Sequence, residues 1–181
     1  MTETEIELKI LEVDIKAMTK KLLELGAQAQ PRVMVHAKHF DYPDGRLEDK
    51  NRHFRIRKVG DVNEIVFKDN QQASEEFEIY DETETTFADF DTIEALTRKL
   101  GFVQTKERQK YRTTFKLEDV KCEIDEYQHI PPYMEIEGPA ESVRRTVRQL
   151  GLQMSDTTNL NASRVFHKYG LKDVKFVTFE K

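Results

Sequence analysis

The stretch Glu5-Ile6-Glu7-Leu8-Lys9 alternates charged and apolar side chains close to the start of the sequence. In a β-strand, successive side chains point to opposite faces, so the two glutamates and the lysine would share one face while the two apolar residues share the other. This alternation is typical of a strand that is buried on one side. The sequence therefore predicts a first strand that buries Ile6 and Leu8 and presents two acids and a base on its other face.

The same two-residue period recurs in later segments, which are separated by turn residues. Their apolar side chains, such as Phe54 with Ile56 and Met134 with Ile136, would lie on the buried face. The side chains expected on the opposite, polar face are Arg55, Arg57, Lys68, Glu76, Glu78, Lys106, Arg108, Lys110, Arg112, Glu123, Asp125, Glu135 and Glu137. Almost every predicted strand thus contributes a pair of like charges to one face of the sheet.

Three segments show the apolar spacing of helices instead, and each is followed by a glycine. Their predicted first residues are Asp14 and Asp91, as side-chain caps, and Pro139, which suits a first helical turn. No linker or low-complexity tract divides the 181 residues, a length that suits one domain. We therefore predict a single α+β domain, mainly antiparallel β, with about eight strands and with helices packed on the apolar side of the sheet.

The composition narrows the classes of function. The chain has 34 acidic and 29 basic residues and a net charge of −5, whereas a simple nucleic-acid binder is usually basic. No apolar run approaches the roughly 20 residues of a membrane-spanning helix, and the start lacks the features of a secretory signal. Because Cys122 is the single cysteine, there is no disulfide framework. We expect a cytoplasmic protein that binds neither nucleic acid nor membranes.

The paired charges point to two kinds of ligand. Pairs of acids on neighbouring strands suit divalent cations, which take carboxylate oxygens, and pairs of bases suit a ligand with several negative charges, such as a polyphosphate. Like charges this close repel unless a group of opposite charge lies between them. The face would line a wet channel if the sheet closes into a barrel, or lie in solvent if the sheet stays open. The pattern alone leaves both alternatives open.

Several short motifs follow the first strand in order along the chain. They are His39-Phe40-Asp41-Tyr42, Phe54-Arg55-Ile56-Arg57, Phe67-Lys68, Glu76-Phe77-Glu78, Lys106-Glu107-Arg108, Ile124-Asp125-Glu126 and Met134-Glu135-Ile136-Glu137-Gly138. With the first strand in front, this order over residues 3–152 resembles the CYTH superfamily, the triphosphate tunnel metalloenzymes that include class IV adenylyl cyclases and thiamine triphosphatases. The resemblance implies a closed eight-stranded antiparallel β-barrel, a tunnel with helices packed outside, that binds a triphosphate together with Mg²⁺ or Mn²⁺.

The resemblance also implies a role for each charged residue. The residues that it identifies as metal ligands are Glu5, Glu7, Asp125, Glu135 and Glu137. Those that it identifies as binding the triphosphate are Lys9, Arg55, Arg57, Lys68, Glu76, Glu78, Lys106 and Arg108. Glu7 and Lys9 are the predicted catalytic residues, and Lys110 and Arg112 are expected beyond the tunnel mouth.

The resemblance leaves the reaction open. A class IV adenylyl cyclase converts ATP to cyclic AMP and pyrophosphate, with the 3′-hydroxyl attacking the α-phosphate and Glu7, or a base activated by the metal, accepting the proton. The alternative is hydrolysis of inorganic tripolyphosphate, thiamine triphosphate or a nucleoside triphosphate, and the third is non-catalytic binding of a polyphosphate or nucleotide. The cyclase is preferred because Glu5-Ile6-Glu7-Leu8-Lys9, followed at once by a helix, is most similar to the cyclase-like branch.

Two further expectations concern residues outside these motifs. The single CYTH-like domain spans residues 1–181, with a core of about 3–152 and a C-terminal extension, 153–181, predicted to contain a helix and a strand. The extension would either cap one end of the barrel or form an interface, in which case the protein would be a homodimer. His36 and His39 stand three residues apart, which places them on opposite faces of a strand, so structural roles are predicted rather than metal binding.

Overall fold

The charged first strand is part of a closed ring of eight antiparallel strands in the computed structural model, which describes residues 2–70, 74–172 and 174–179. The strands are β1 (Thr2–Ile10), β2 (Gln28–Ala29), β3 (Val33–Asp41), β4 (Arg52–Val59), β5 (Val62–Asn70), β6 (Glu78–Phe87), β7 (Val103–Leu117), β8 (Val120–Tyr127), β9 (Tyr133–Glu137) and β10 (Phe176–Val177). The ring runs β7-β3-β4-β5-β6-β1-β9-β8 and closes where β8 pairs with β7. The predicted eight-stranded antiparallel barrel is therefore confirmed.

In the described residues, four α-helices accompany the barrel: α1 (Ile15–Glu24), α2 (Phe90–Lys99), α3 (Ala140–Gln149) and α4 (Ala162–Lys168). As predicted, the Asp14 side chain caps α1, accepting a hydrogen bond from the Ala17 amide at 3.0 Å. The predicted cap of α2 is wrong by two residues, because it is Asp89 that accepts from the Thr92 amide, at 2.9 Å. None of these helices is long and apolar enough to cross a membrane.

The main apolar core lies on the outside of the barrel wall. Outward-facing residues such as Leu8 on β1 and Ile136 on β9, which lie opposite each other, are completely buried. They pack in one cluster with Leu22 of α1 and Val147 of α3. The interior of a small barrel is usually filled by apolar side chains, but here the apolar face packs outward and the charged face points inward.

The pairing of β1 with β9 fixes which charged side chains meet inside the barrel. Glu7 lies opposite Glu137, and Lys9 lies opposite Glu135. A slip of one residue would turn all four side chains to the other face, since the side-chain period of a strand is two. Burial of Leu8 and its neighbours outside the barrel therefore also determines the set of charges inside it.

The C-terminal extension crosses one end of the barrel. The Lys9 amide of β1 donates to the Thr158 carbonyl at 2.8 Å, and β10 pairs in parallel with Glu107 and Arg108 of β7. Between these attachments, α4 contributes Val165 and Phe166 to a second apolar cluster, which also contains Tyr133 of β9. The predicted helix and strand are present, and the first residues of α4 face the interior of the barrel at this end, which we call the α4 end.

The position of the α2 cap can be tested by substitution. Asp89→Ala removes the side-chain acceptor of the Thr92 amide and should lower the free energy of unfolding by about 1 kcal/mol. Asp91→Ala removes only a charge from the first turn and should cost about 0.3 kcal/mol. Urea denaturation of both variants measures the difference, and an equal or larger loss for Asp91→Ala would contradict the assignment.

Candidate active site

The barrel encloses a cavity of about 570 Å³ that is lined mainly by charged side chains from all eight strands. Glu5, Glu7 and Lys9 of β1 all line it, as their alternation predicts. Glu135 and Glu137 of the neighbouring β9 line it as well. Four of the five predicted metal-ligating carboxylates therefore lie on the inner face of two paired strands.

Lys9 is the centre of the first group of buried charges. Its Nζ donates to Glu7 Oε1 at 2.5 Å and to Glu78 Oε2 at 2.9 Å, and lies 3.6 Å from Glu135 Oε1. The Lys9 side chain is only 1% exposed. Although burial opposes ionisation of an ammonium, Glu7, Glu135 and Glu78 raise the pKa of Lys9 well above its ordinary value. Lys9 therefore stays protonated and compensates three carboxylates from three strands.

Lys68 of β5 forms a second centre beside the first. Its ammonium contacts Glu5, lies 2.8 Å from Glu82 and lies 3.9 Å from Glu7. Burial and nearby carboxylates raise the pKa of Glu5 to about 8, although Lys68 acts in the opposite direction. Burial acts to raise the pKa of Glu7 too, but Lys9 and Lys68 outweigh it and lower that pKa to about 2. Burial thus raises the pKa of Glu5 in spite of its contact with Lys68, whereas Glu7 is fully ionised.

Arg112 of β7 forms a third centre, and its place corrects a prediction. The guanidinium donates to both oxygens of Asp125, at 2.7 Å each, and to Glu135 Oε2 at 2.6 Å, and it also contacts Glu123. Lys110 donates to Asp125 Oδ2 at 2.5 Å. Both basic residues line the cavity and do not lie beyond the tunnel mouth, because β7 is 15 residues long and spans the barrel.

Asp125 differs from the other predicted metal ligands. Its side chain is completely buried, and its two oxygens accept hydrogen bonds from Arg112 and Lys110. Three of the roughly four lone-pair positions of this carboxylate are thus used by cations of the chain. Asp125 holds Arg112 and Lys110 in position, and it is not among the residues that line the cavity.

The opposite wall of the cavity is basic and incompletely paired. Arg57 is bound by Glu64 at 2.5 Å and by Glu84 at 3.3 Å, but Arg55 comes no closer than 4.0 Å to Glu82. The nearest polar contact of Arg108 is the Ser163 hydroxyl, at 3.3 Å.

Two donors on this wall have no acceptor. The Nε atoms of Arg55 and Arg108 are buried and have no hydrogen-bond partner among the described residues, and Arg108 forms no ion pair there. A buried donor without an acceptor is costly, so these two guanidinium groups are placed to receive an anionic ligand.

Glu76 does not belong to the site. It is exposed outside the barrel, where Arg144 of α3 donates to it at 2.5 and 3.0 Å. The strand β6 begins only at Glu78, whose side chain does face the cavity and accepts from Lys9 and from the Tyr80 hydroxyl. Glu76 is therefore not among the residues that line the cavity, because β6 begins two residues later than the alternation predicts.

Some lining residues were missed by the sequence analysis. Among them are His39, His53 and Glu82. Strand parity is the signal that could have identified His53 and Glu82, since each is an even number of residues from a predicted inward side chain on the same strand, Arg55 on β4 and Glu78 on β6. His36, by contrast, lies outside and bonds Glu107 at 2.6 Å, which confirms that it and His39 point to opposite faces.

The acidic side chains of the cavity have the donor atoms that Mg²⁺ and Mn²⁺ prefer. Glu5, Glu7, Glu135 and Glu137 supply only carboxylate oxygens, the ligands that such ions prefer. Around the ammonium groups of Lys9 and Lys68 lie the carboxylates of Glu5, Glu7, Glu78 and Glu82, so acids outnumber bases in this part of the cavity. In the described residues no three acidic or histidine side chains converge on one point, since ammonium groups lie between the acids. The residues fit a divalent ion by their chemistry.

The chain belongs to the CYTH domain family, whose model matches residues 3–163. A relative from Methanocaldococcus jannaschii, provisionally named an adenylate cyclase, is 22% identical over 160 residues, which cover 88% of this chain and 91% of the relative.

Two solved structures share the fold. A provisionally named adenylate cyclase from Vibrio parahaemolyticus gives a TM-score of 0.81 at 13% identity, covering 92% of this chain and 99% of that one. The second structure is of a Hippeastrum protein that is provisionally named an adenylyl cyclase and described as having a dominant triphosphatase activity. It gives a TM-score of 0.64 at 18% identity, covering 92% of this chain and 96% of that one. At these identities the likeness shows the fold.

Removal of the cation from the first centre should be strongly destabilising. Lys9→Met would remove the cation that Glu7, Glu78 and Glu135 share, leaving Glu135 to Arg112 and Glu7 to the more distant Lys68, and we expect the free energy of unfolding to fall by about 3–5 kcal/mol at neutral pH. Lys20→Met is the matched control, because Lys20 and Glu24 form an exposed pair worth less than about 1 kcal/mol. Chemical denaturation measures both. A loss for Lys9→Met as small as that of the control would contradict the assigned role of Lys9.

Proposed function

We propose that this protein is a divalent-metal-dependent enzyme that acts on a triphosphate inside the tunnel, as an adenylyl cyclase that converts ATP to cyclic AMP and pyrophosphate. The observation that carries the proposal is the division of the cavity into two walls. One wall has guanidinium groups whose buried donors find no acceptor among the described residues, and the other has the carboxylates of Glu5, Glu7, Glu78 and Glu82 on the two ammonium groups of Lys9 and Lys68. A polyanion with a divalent cation is the ligand that satisfies both walls at once.

The basic wall supplies the contacts for the phosphates. Among the described residues, Arg55 and Arg108 each have a buried donor without an acceptor, and Lys106 is paired with Glu48, whose side chain is 63% exposed. Fixed cations in a partly buried site stabilise the negative charge that develops on a leaving pyrophosphate. We assign Arg55, Arg57, Lys68, Lys106 and Arg108 to this role.

The acidic wall supplies the metal ligands, which we assign to Glu5, Glu7, Glu135 and Glu137. When bound, a Mg²⁺ or Mn²⁺ ion would neutralise phosphate charge and polarise the reacting phosphorus. Glu7 is ionised at all neutral pH values, since Lys9 and Lys68 outweigh burial and lower its pKa to about 2. So low a pKa suits a ligand better than a proton acceptor. Lys9, kept protonated, orients Glu7 and Glu135 and adds positive charge near the phosphates.

The cavity has room and a suitable surface for an organic group. Its volume of about 570 Å³ lies within the roughly 300–1,000 Å³ of sites that take organic molecules of ordinary ligand size. Val35, Ala37 and Val59, on the neighbouring strands β3 and β4, form an apolar strip on the inner face. Inorganic tripolyphosphate would leave this strip unused, so the strip favours a nucleoside triphosphate. The names of the Methanocaldococcus and Vibrio relatives agree with this choice.

Hydrolysis of a triphosphate is the second candidate. The Hippeastrum protein of the same fold is described as having a dominant triphosphatase activity. The same two walls would serve attack by water, because the contacts to the phosphates and the metal do not depend on which hydroxyl attacks. Inorganic tripolyphosphate, thiamine triphosphate and nucleoside triphosphates are the substrates to compare.

Phosphorus NMR of the purified protein with Mg²⁺ or Mn²⁺, given ATP and tripolyphosphate in separate tubes, distinguishes the two reactions. Cyclic AMP with pyrophosphate is expected from ATP. Orthophosphate and ADP from ATP, or orthophosphate and pyrophosphate from tripolyphosphate, would show that the protein is a triphosphatase and would overturn the assignment as a cyclase. A third tube contains thiamine triphosphate. If none of the three compounds gives a product, the result contradicts a catalytic role.

Glu135→Gln should lower turnover in this assay about 100-fold or more, because it removes a ligand charge from the acidic wall. Glu76→Gln is the matched control, since this glutamate lies outside the barrel with Arg144 and should leave turnover within about twofold. Circular dichroism confirms that both variants are folded. Unchanged turnover in Glu135→Gln would contradict the assignment of the metal ligands.

Val59→Phe tests the apolar strip. The larger side chain would fill part of the inner surface and should weaken binding of ATP about tenfold. Binding of inorganic tripolyphosphate should change less than twofold, because this ligand has no organic group to exclude. Titration calorimetry of both ligands measures the effect, and equal weakening of the two would place the strip under the phosphates instead.

A further inference from the structure

Two histidines face the cavity at the α4 end, among the residues of the basic wall. His39 on β3 lies opposite Arg55 on β4 and Lys106 on β7. His53 lies opposite Lys68 on β5, and its ring is 6.0 Å from that of Tyr80. Both imidazoles line the same cavity as the proposed phosphate-binding residues. We call His39 and His53 the histidine pair.

The surroundings of the pair are almost entirely basic. The charged or titratable groups that act on His39 are Arg55 and His53 from β4 and Lys106 and Arg108 from β7. Those that act on His53 are Arg55 from its own strand, Lys106 from β7, Lys68 from β5 and Glu48 from the short 3₁₀ turn Glu48–Lys50, with Tyr80 of β6 beside the ring. In the part of the chain that the structure describes, neither imidazole has a hydrogen-bond partner. The pair is thus exposed to strong positive potential without an acceptor of its own.

This setting keeps both rings neutral when the cavity holds no anion. Burial, together with Lys106, Arg55 and Lys68, lowers the pKa of His53 to about 4. Burial, Arg55 and Arg108 also lower the pKa of His39 well below its ordinary value. A neutral imidazole has one N–H donor and one lone pair, whereas an imidazolium has two N–H donors. A phosphate oxygen is an acceptor, so a neutral ring matches it with only one of its two nitrogens.

We propose that the histidine pair is a second anion-recognition site in the tunnel, which takes up a proton from solvent as a triphosphate binds. The inference rests on the proposed function, since it requires the tunnel to hold a polyanion. Negative charge beside the rings reverses the local potential that now excludes the proton. The proton adds to the ring nitrogen that lacks one, and the resulting imidazolium donates both N–H groups, with phosphate oxygens as the acceptors.

Linkage fixes the sign of the pH effect. The complex binds more protons than the free protein, so affinity for the triphosphate should rise as the pH falls. The rise is about tenfold per pH unit for each proton taken up. This increase in affinity applies at pH values between the pKa of each histidine in the complex and its lower pKa in the free protein, which for His53 is about 4. Below that value the ring is protonated in both states and the gain ends.

Titration calorimetry of the full-length protein tests the proposal. The probe is the non-hydrolysable imido analogue of tripolyphosphate with Mg²⁺, titrated at one neutral pH in buffers of different ionisation enthalpy. The slope of binding enthalpy against buffer enthalpy counts the protons exchanged. We expect the wild-type protein to take up about one to two protons more than the His39→Gln/His53→Gln double variant, and each single variant to give an intermediate value.

The matched control is His36→Gln, which changes a histidine of the same strand whose side chain lies outside the barrel with Glu107. Its slope should equal that of the wild type. If the wild type and the double variant both bind the analogue tightly and give the same slope of binding enthalpy against buffer enthalpy, the proposed proton uptake is overturned. The proposed triphosphate site would still stand. Absence of binding to the wild type would instead overturn the proposed function, and the inference with it.

Proton NMR gives a second readout, in which the shift is measured on the wild-type protein itself. On saturation with the analogue at neutral pH, two imidazole Cε1–H resonances should move from neutral to imidazolium positions. Single variants assign them, and the resonance of His36 should stay in place. Two tunnel histidines that keep their neutral shifts in the saturated complex would overturn the proposal.

Discussion

The contact of the Lys9 ammonium with Glu7, Glu78 and Glu135 is the interaction on which the charged interior depends. It joins β1, β6 and β9 through one fully buried cation. A barrel whose apolar side chains point outward has no apolar interior to stabilise it. The charged side chains on its inner face must therefore neutralise one another. Arg112 serves the same purpose between β7, β8 and β9.

This self-neutralisation also explains how the tunnel can respond to a ligand. The cations and acids that pair with each other in the free protein are the groups that a triphosphate and a metal ion would need. Binding would exchange internal ion pairs for pairs with the ligand, which keeps the buried charge balanced at every stage. The positions where pairing among the described residues is incomplete, at Arg55 and Arg108, are those with most to gain from the exchange.

The two ends of the tunnel differ in character. At the α4 end, the C-terminal extension brings Ser163 and Phe166 against Arg108, with the Phe166 ring 4.4 Å from the guanidinium carbon. The apolar strip begins toward the other end, where Val35 lies opposite Val59. A triphosphate with an organic group would find phosphate-binding groups at one end and an apolar surface toward the other, so the tunnel gives such a ligand one orientation.

The sequence by itself determined the face of each side chain, because the two-residue period of a strand assigns inside and outside without knowledge of the partner strand. It did not determine where strands begin or how far they extend, so it places Glu76 on the inner face and Lys110 and Arg112 beyond the tunnel mouth. Only the tertiary structure decided that Asp125 holds basic side chains, and that His39 lies among cations. These facts depend on register and strand length, which are set by packing between segments distant in the chain.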